Sequence, residues 1–374
     1  MSKLALTRYL YIYDEVGFSF ITALLKKQSI DECYFWISEL FLSGYEKESW
    51  ELIWFIYYDF YYINNPQFIP FILKKHNNGE GNLKDLMTVI KNLFKFPISS
   101  QVFVTRQYNM NIKEITSVFR GKKPAWLVNS IPTKYHALFR YIDKKLYHCA
   151  VVSLPDTIDS ELFDTLRIYF NLGEEQLNDI KTKFNNSYNN DIHKLWSIIC
   201  LLLFNPKYTD SKKKMFLGLS DDDYQNVLKI HNEPIPLNKH GEIQARKTLI
   251  HKCLYSINSL SSSFNLMRDE EDSISKCYWY HWEYYAYNSP IWKNRFDKYD
   301  ITIDDENKKI VFNDDDEIED FYEQYGYEPD EQSCETQNKL FGFLPNNYWK
   351  KWIQELFQDD SSIYEFKDDF KFNY

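Results

Sequence analysis

Large apolar rings recur at helical spacing in this chain, and that restricts it to folds built from packed helices. Trp50, Ile53, Trp54, Tyr57 and Tyr61 follow the i, i+3, i+4, i+7 pattern that lines one face of an α-helix. A face of that bulk has to be covered by another element. With 30 Tyr, 28 Phe and 10 Trp against only 10 Gly in 374 residues, ring-rich cores with tyrosine hydroxyls at their edges are expected.

Local signals place the elements. Ser29-x-x-Glu32 reads as a capping box that opens a helix running to Ser43, with Gly44 positioned to end it. A second helix starts near Glu46, with acids in its first turn, and stops at Asn64-Asn65-Pro66. The short break between the two predicts a helical hairpin. Asp59 lies inside this aromatic helix, where a solvated or hydrogen-bonded role is expected before a catalytic one. Further helices are predicted over 83–94, 134–147, 159–171, 174–184, 190–204, 220–231 and 242–257, and an acidic one over 314–325. Gln101–Thr105 reads as a short strand, 150–155 as a strand or buried linker, and 275–288 as an aromatic helix or extended segment. Asp300–Asp304 and Lys309–Phe312 flank a polar turn, a β-hairpin signal. The expected fold is mainly α: packed helical hairpins with a small β-hairpin element near the C-terminus.

Composition shifts divide the chain into a helical N-terminal region (1–100) and a basic, mainly helical middle (101–235). An aromatic and acidic region follows (236–358, with the hairpin at 300–312), then a tail (359–374). The shift near Glu233-Pro-Ile-Pro236 marks the second boundary. No fixed-period repeat and no secretory signal is visible. The longest near-apolar run, Leu195 to Phe204, is about half the ~20 residues that cross a bilayer, so no membrane partner is expected. The six scattered cysteines point to a reducing compartment.

Charge is unevenly distributed. Residues 297–331 carry fifteen acids and three lysines, a net of −12 in a chain of net −10. Residues 101–145 carry nine Lys/Arg and two acids, a net of +7. Such a pattern can bind partners through surface charge. In the basic stretch, Arg120, Lys122, Lys123, Trp126, Arg140 and Lys144 combine cations with rings, a mixture suited to RNA or single-stranded DNA if the rings are exposed. In the acidic stretch, Asp314, Asp315, Asp316 and Glu317 are candidates for docking a basic partner, and the ring-dense run 281–292 adds Trp282 and Trp292. His251, Cys253, Cys277 and His281 supply a loose zinc-ligand set, with aromatic core packing as the competing explanation. No phosphate-binding glycine loop, nucleophile elbow or His-Glu-x-x-His helix occurs, so neither a catalytic residue nor a cofactor is assigned.

Two sets of blocks resemble a family of uncharacterised proteins encoded by nucleocytoplasmic large DNA viruses, the mimivirus-like and algal-virus groups. One is Glu32–Gly44 running into Trp54–Tyr62; the other is Trp282–Trp292 leading to Phe321–Gln332. The resemblance implies a viral origin and a setting in the host cytoplasm (the viral factory) or the virion, and implies no reaction. The expectation is a non-enzymatic scaffold or adaptor in a viral complex, with viral or host proteins as partners. The alternatives are an RNA-binding accessory factor in viral gene expression and a virion structural component.

Overall fold

The rings set at helical spacing become the most deeply buried side chains. Trp36, Trp50, Trp54, Trp196, Trp292, Tyr57 and Tyr61 are each less than 2 % exposed. The computed structural model describes residues 4–27, 29–76, 81–110, 122–186, 188–205, 215–232, 260–266, 274–325 and 349–357. In chain order the helices are α1 (Tyr13–Lys26), α2 (Ile30–Leu42), α3 (Glu46–Ile56), α4 (Ile69–His76), α5 (Leu83–Lys95), α6 (Gln101–Met110), α7 (Ala125–Ser130), α8 (His136–Asp143), α9 (Tyr147–Val152), α10 (Ser160–Phe170), α11 (Glu174–Phe184), α12 (Asp191–Phe204), α13 (Asp221–Asn232), α14 (Ile274–Tyr280), α15 (Trp282–Ala286), α16 (Pro290–Phe296), α17 (Asp315–Tyr325) and α18 (Trp349–Leu356). One antiparallel hairpin, β1 (Ile301–Asp304) with β2 (Lys309–Phe312), pairs Ile301 with Phe312 and Asp304 with Lys309. The fold is therefore mainly α with a small C-terminal hairpin. No helix among the described residues is long and apolar enough to cross a membrane. The predicted helix over 242–257, the Glu233–Pro236 boundary and the tail over 359–374 lie outside the described residues.

The chain divides into two compact units. The first comprises Met1–Leu52, Asn82–Phe94 and Leu217–Trp352; the second comprises Ile53–Gly81, Lys95–Phe216 and Ile353–Tyr374.

In the first unit the Ser29 hydroxyl accepts the Glu32 N–H at 3.4 Å, opening α2. The helix ends in a Schellman turn: Tyr45 N–H reaches Leu40 C=O at 3.3 Å and Gly44 N–H reaches Phe41 C=O at 3.1 Å. Gly44 has a φ of +90°, and a Cβ there would lie 2.6 Å from the Pro290 Cβ. The sequence pairs α2 with α3, but α2 packs chiefly on α1. The preference follows from burial, because Val16, Phe20, Ile21 and Leu24 of α1 have no exposed surface. Lys84 and Lys91 of α5 meet Asp221 and Asp223 of α13 at 2.5 and 3.0 Å.

The N-terminal turn is threaded into the same unit. Glu39 of α2, fully buried, accepts the Tyr9 N–H at 3.0 Å and has the Arg8 guanidinium 3.8 Å away. Burial pushes the Glu39 carboxyl up, and the Arg8 charge only partly offsets that. The Trp292 indole N–H donates to the Thr7 carbonyl at 2.8 Å.

The second unit contains the end of α3, a π-helical turn over Tyr57–Tyr61, α4 and α6 to α12. The stretch predicted as a strand at 101–105 is the first half of α6. Val102, Phe103 and Val104 are at most 1 % exposed, and Thr105 donates to the Gln101 carbonyl at 2.7 Å. Tertiary burial outweighs the strand preference of β-branched residues here, and a short apolar run cannot by itself reveal its period. The single helix predicted over 134–147 is broken after α8, where Lys145 takes a φ of +57°. The stretch 150–155 begins as the last turn of α9. In the first unit, 275–288 forms two helices divided at His281. The predicted helices at 159–171, 174–184, 190–204, 220–231 and 314–325 form within one residue of those bounds.

Replacing Gly44 by Ala forces a side chain into the left-handed region and against Pro290. The expected loss is about 1–2 kcal/mol from the backbone alone, read as a lower urea midpoint at unchanged slope. A midpoint equal to that of the parent would show that the turn has another way to close.

Candidate functional site

A carboxylate on an aromatic helix face must find partners or leave the core. Asp59 does the former. The turn that carries it is π-helical, closed by Tyr62 N–H to Tyr57 C=O at 2.9 Å, and such single turns concentrate at functional positions. Asp59 is 1 % exposed. Arg106 of α6 approaches it with both arms of the guanidinium, Nε to Oδ1 at 3.2 Å and Nη2 to Oδ2 at 2.7 Å. His193 of α12 lies 2.8 Å from Oδ1 through Nε2, and its Nδ1 is 2.9 Å from the Tyr188 hydroxyl.

This order fixes the protonation pattern. With Asp59 ionised, His193 Nε2–H donates to the carboxylate and Nδ1 accepts the Tyr188 O–H. Burial pushes the Asp59 carboxyl up, but the Arg106 charge and the His193 contact outweigh it and hold the carboxyl below its ordinary value. Burial pulls His193 below its ordinary value, and Arg106 adds to that, while Asp59 opposes it. Rings close the cluster. Phe55 lies 5.0 Å from the His193 ring, and Tyr58 stacks on Tyr188 at 5.4 Å. Asn186 donates to the Tyr58 hydroxyl at 2.7 Å, and the Trp196 indole donates to Thr105 at 2.8 Å. The arrangement is a charge-compensated tie among the π turn, α6 and α12.

The acidic candidates occupy a different structure, in the first unit. Phe321 of α17 is fully buried, stacked on Phe296 at 4.6 Å with Phe312 of β2 at 5.2 Å. This small aromatic core fixes hairpin and helix together. Asp314, Asp315 and Asp316 are exposed, and Glu317 is half-buried, accepting the Asp300 N–H at 2.8 Å. Asp314 Oδ1 accepts the Asp316 N–H, and both Asp304 oxygens serve the hairpin turn, to Glu306 and Asn307. Trp282 and Trp292, by contrast, are core residues at 3 % and 0 % exposure, in edge contact at 5.4 Å, and offer no surface to a partner. The part of the acidic block beyond 325 lies outside the described residues, up to α18.

The basic candidates lie in the second unit. Lys122, Lys123 and Lys144 are exposed, and Arg140 is half-buried. Lys123 Nζ is 3.0 Å from His136 Nδ1, and Lys144 is 3.7 Å from Asp143. Trp126 is half-buried with its ring 5.6 Å from Tyr169, whose hydroxyl is raised by burial to about 12. Two other members of the basic stretch are engaged. Arg106 serves Asp59, and Lys134 bridges Asp159 and Glu161 at 2.7 and 2.6 Å. Hydrogen bonds from Lys134 and Tyr135 bring the Asp159 carboxyl down to about 2. Arg120 lies outside the described residues.

Of the zinc candidates, His251 and Cys253 lie outside the described residues. Cys277 is buried, and His281 Nδ1 is 3.1 Å from the Lys308 carbonyl oxygen. Among the described residues no group of His, Cys, Asp and Glu could hold a metal ion, and Cys33, Cys149, Cys200 and Cys277 are buried thiols. No protein-family model, curated protein or solved structure matches this chain.

Arg106, Tyr188 and His193 carry no local motif with Asp59: Arg106 is 47 residues from it and His193 is 134, with Tyr188 five residues before His193. The signal that could have found them was Asp59 itself, a charge on a face that has to be buried. Arg106→Met leaves this carboxylate without its guanidinium, and a stability loss of about 3–5 kcal/mol is expected. Asp59→Leu combined with Arg106→Met should cost clearly less than the two single losses summed. A double-mutant cycle by chemical denaturation measures the difference.

Proposed function

We propose that this chain is a non-enzymatic binding protein, a scaffold or adaptor in a viral complex, that docks a basic partner protein on the acidic hairpin and α17. One observation carries the reading: beyond its first turn, where acids suit the dipole, α17 keeps further like charges that its own stability disfavours. Asp315, Glu319 and Glu323 are exposed and follow one another at i, i+4 spacing, as do Asp316 and Asp320. Each like-charged pair costs about 0.2–0.5 kcal/mol. Glu323 also stands in the last turn, against the helix dipole, and that turn contains no basic residue. A stripe kept at that expense to the helix is accounted for by a partner of opposite charge. The aromatic core beneath it limits the ordering cost on binding.

Glu319→Lys separates binding from folding. It turns two repulsive pairs into attractive ones, so stability should rise by a few tenths to about 1 kcal/mol. Association with a lysine-rich peptide should slow, most strongly at low salt. The same variant should capture less partner on co-purification from infected cells. Recovery of free monomer alone from such cells, with the parent chain, would remove the reading.

Binding of RNA by the second unit is supported by exposed Lys122, Lys123 and Lys144 and half-buried Trp126 within that unit. Neutralising the three lysines should lower the slope of log affinity against log salt by about 0.7 per lost phosphate contact on single strands. An unchanged slope would leave this second reading without support.

A further inference from the structure

His193 occupies a position where a second positive charge has nowhere to go. Asp59 faces it from the π turn and is already matched by Arg106 from α6, with Nη2 at 2.7 Å. The groups on the remaining sides are the Tyr188 hydroxyl, the Tyr58 ring and the Phe55 ring. On α12 itself, Lys194 is paired with Asp191 at 2.8 Å, and the Cys200 thiol is pushed up by burial. His193 also stands in the first turn of α12, where its own N–H is capped by the Asn190 side chain at 3.0 Å. The positive end of the helix dipole opposes an imidazolium there. A proton on Nδ1 would further displace the Tyr188 O–H from its acceptor.

We propose that Tyr188, His193, Asp59 and Arg106 form an acid-operated latch in the second unit, in which proton uptake by His193 frees the first turn of α12 and Tyr188 from the Asp59 segment. Closed, the latch is electrically balanced: one carboxylate, one guanidinium and a neutral imidazole. Protonated, these side chains sum to one positive charge, with Asp59 and the His193 ring essentially without exposure. The direction follows from linkage. Folded His193 resists the proton, whereas the opened chain accepts it near the ordinary histidine value of 6.5. Closure is therefore favoured fully above that value, and the open population grows by up to about tenfold per pH unit below it.

Hydrogen exchange of the full chain at about pH 7 and about pH 5.5, corrected for the intrinsic pH dependence of exchange, tests the latch. Opening of peptides covering 57–61 and 188–200 should rise, by up to about tenfold, at the lower pH, without a matching rise across α2. His193→Gln, which cannot titrate, should hold the ratio within about twofold even if its overall stability is lower. A wild-type response retained in His193→Gln, or no response in the parent chain, overturns the proposal. Should His193→Gln fail to fold, the His193 ring signals of the parent chain decide by NMR. They should stay in the neutral form until the protected amides of α12 are lost. Titration near 6.5 with those amides still protected overturns the latch.

Discussion

A carboxylate taken out of water must be met by donors, and each unit contains one that meets this demand in its own way. Glu39 draws in the N-terminal turn: the Tyr9 amide donates to it, Arg8 stands nearby, and the Ser43 hydroxyl accepts the Arg8 amide at 2.8 Å. Asp59 draws in two helices through Arg106 and His193. Apolar burial is the larger favourable quantity in both cores, but it has no direction. The hydrogen bonds to these two oxygen pairs have direction, so they select which helix faces meet and in what register.

The balance differs between the two. At Asp59 a bidentate guanidinium and an imidazole overcome burial, and the group remains an anion. At Glu39 the Arg8 nitrogen is farther away, and burial prevails in raising the carboxyl. Geometry decides the outcome here, since both side chains are essentially without exposure. The acids of α17 represent the opposite case: solvated, mutually repelling, and held in place by Phe321 rather than by counter-charges. The same residue types thus serve as internal ties in one place and as an open charged face in another.

Much of the helical layout was legible because caps and periodicity are local. Ser29, Glu32 and Gly44 state where α2 begins and ends, and the spacing of Trp50, Ile53, Trp54 and Tyr57 states which face is covered. The hairpin at 301–312 was legible from β-branched runs about a polar turn. Gln101–Thr105 reads as a strand from its residues yet begins α6, because five residues cannot distinguish a buried helix from a strand. The aromatic run containing Trp282 and Trp292 showed ring density but not which side of the protein it lines, and both rings are core. The basic stretch was legible as charge but not as surface, because Arg106 and Lys134 find acids far along the chain. The Asp59 cluster was legible only by half. The sequence displays the carboxylate, while its partners are supplied by the fold.

The π turn constrains the chain in a further way. Its ring closes from Tyr57 to Tyr62, one residue wider than the turn of an α-helix, and that extra residue sets the direction of Asp59 toward Arg106 and His193. Loss of one residue between 57 and 61 would restore ordinary winding; four residues at about 100° each sweep nearly the arc of the wider turn, so later side chains would keep their faces while the placement of Asp59 itself was lost. Residue number through this stretch thus matters as much as residue identity, because the extra residue is what places Asp59.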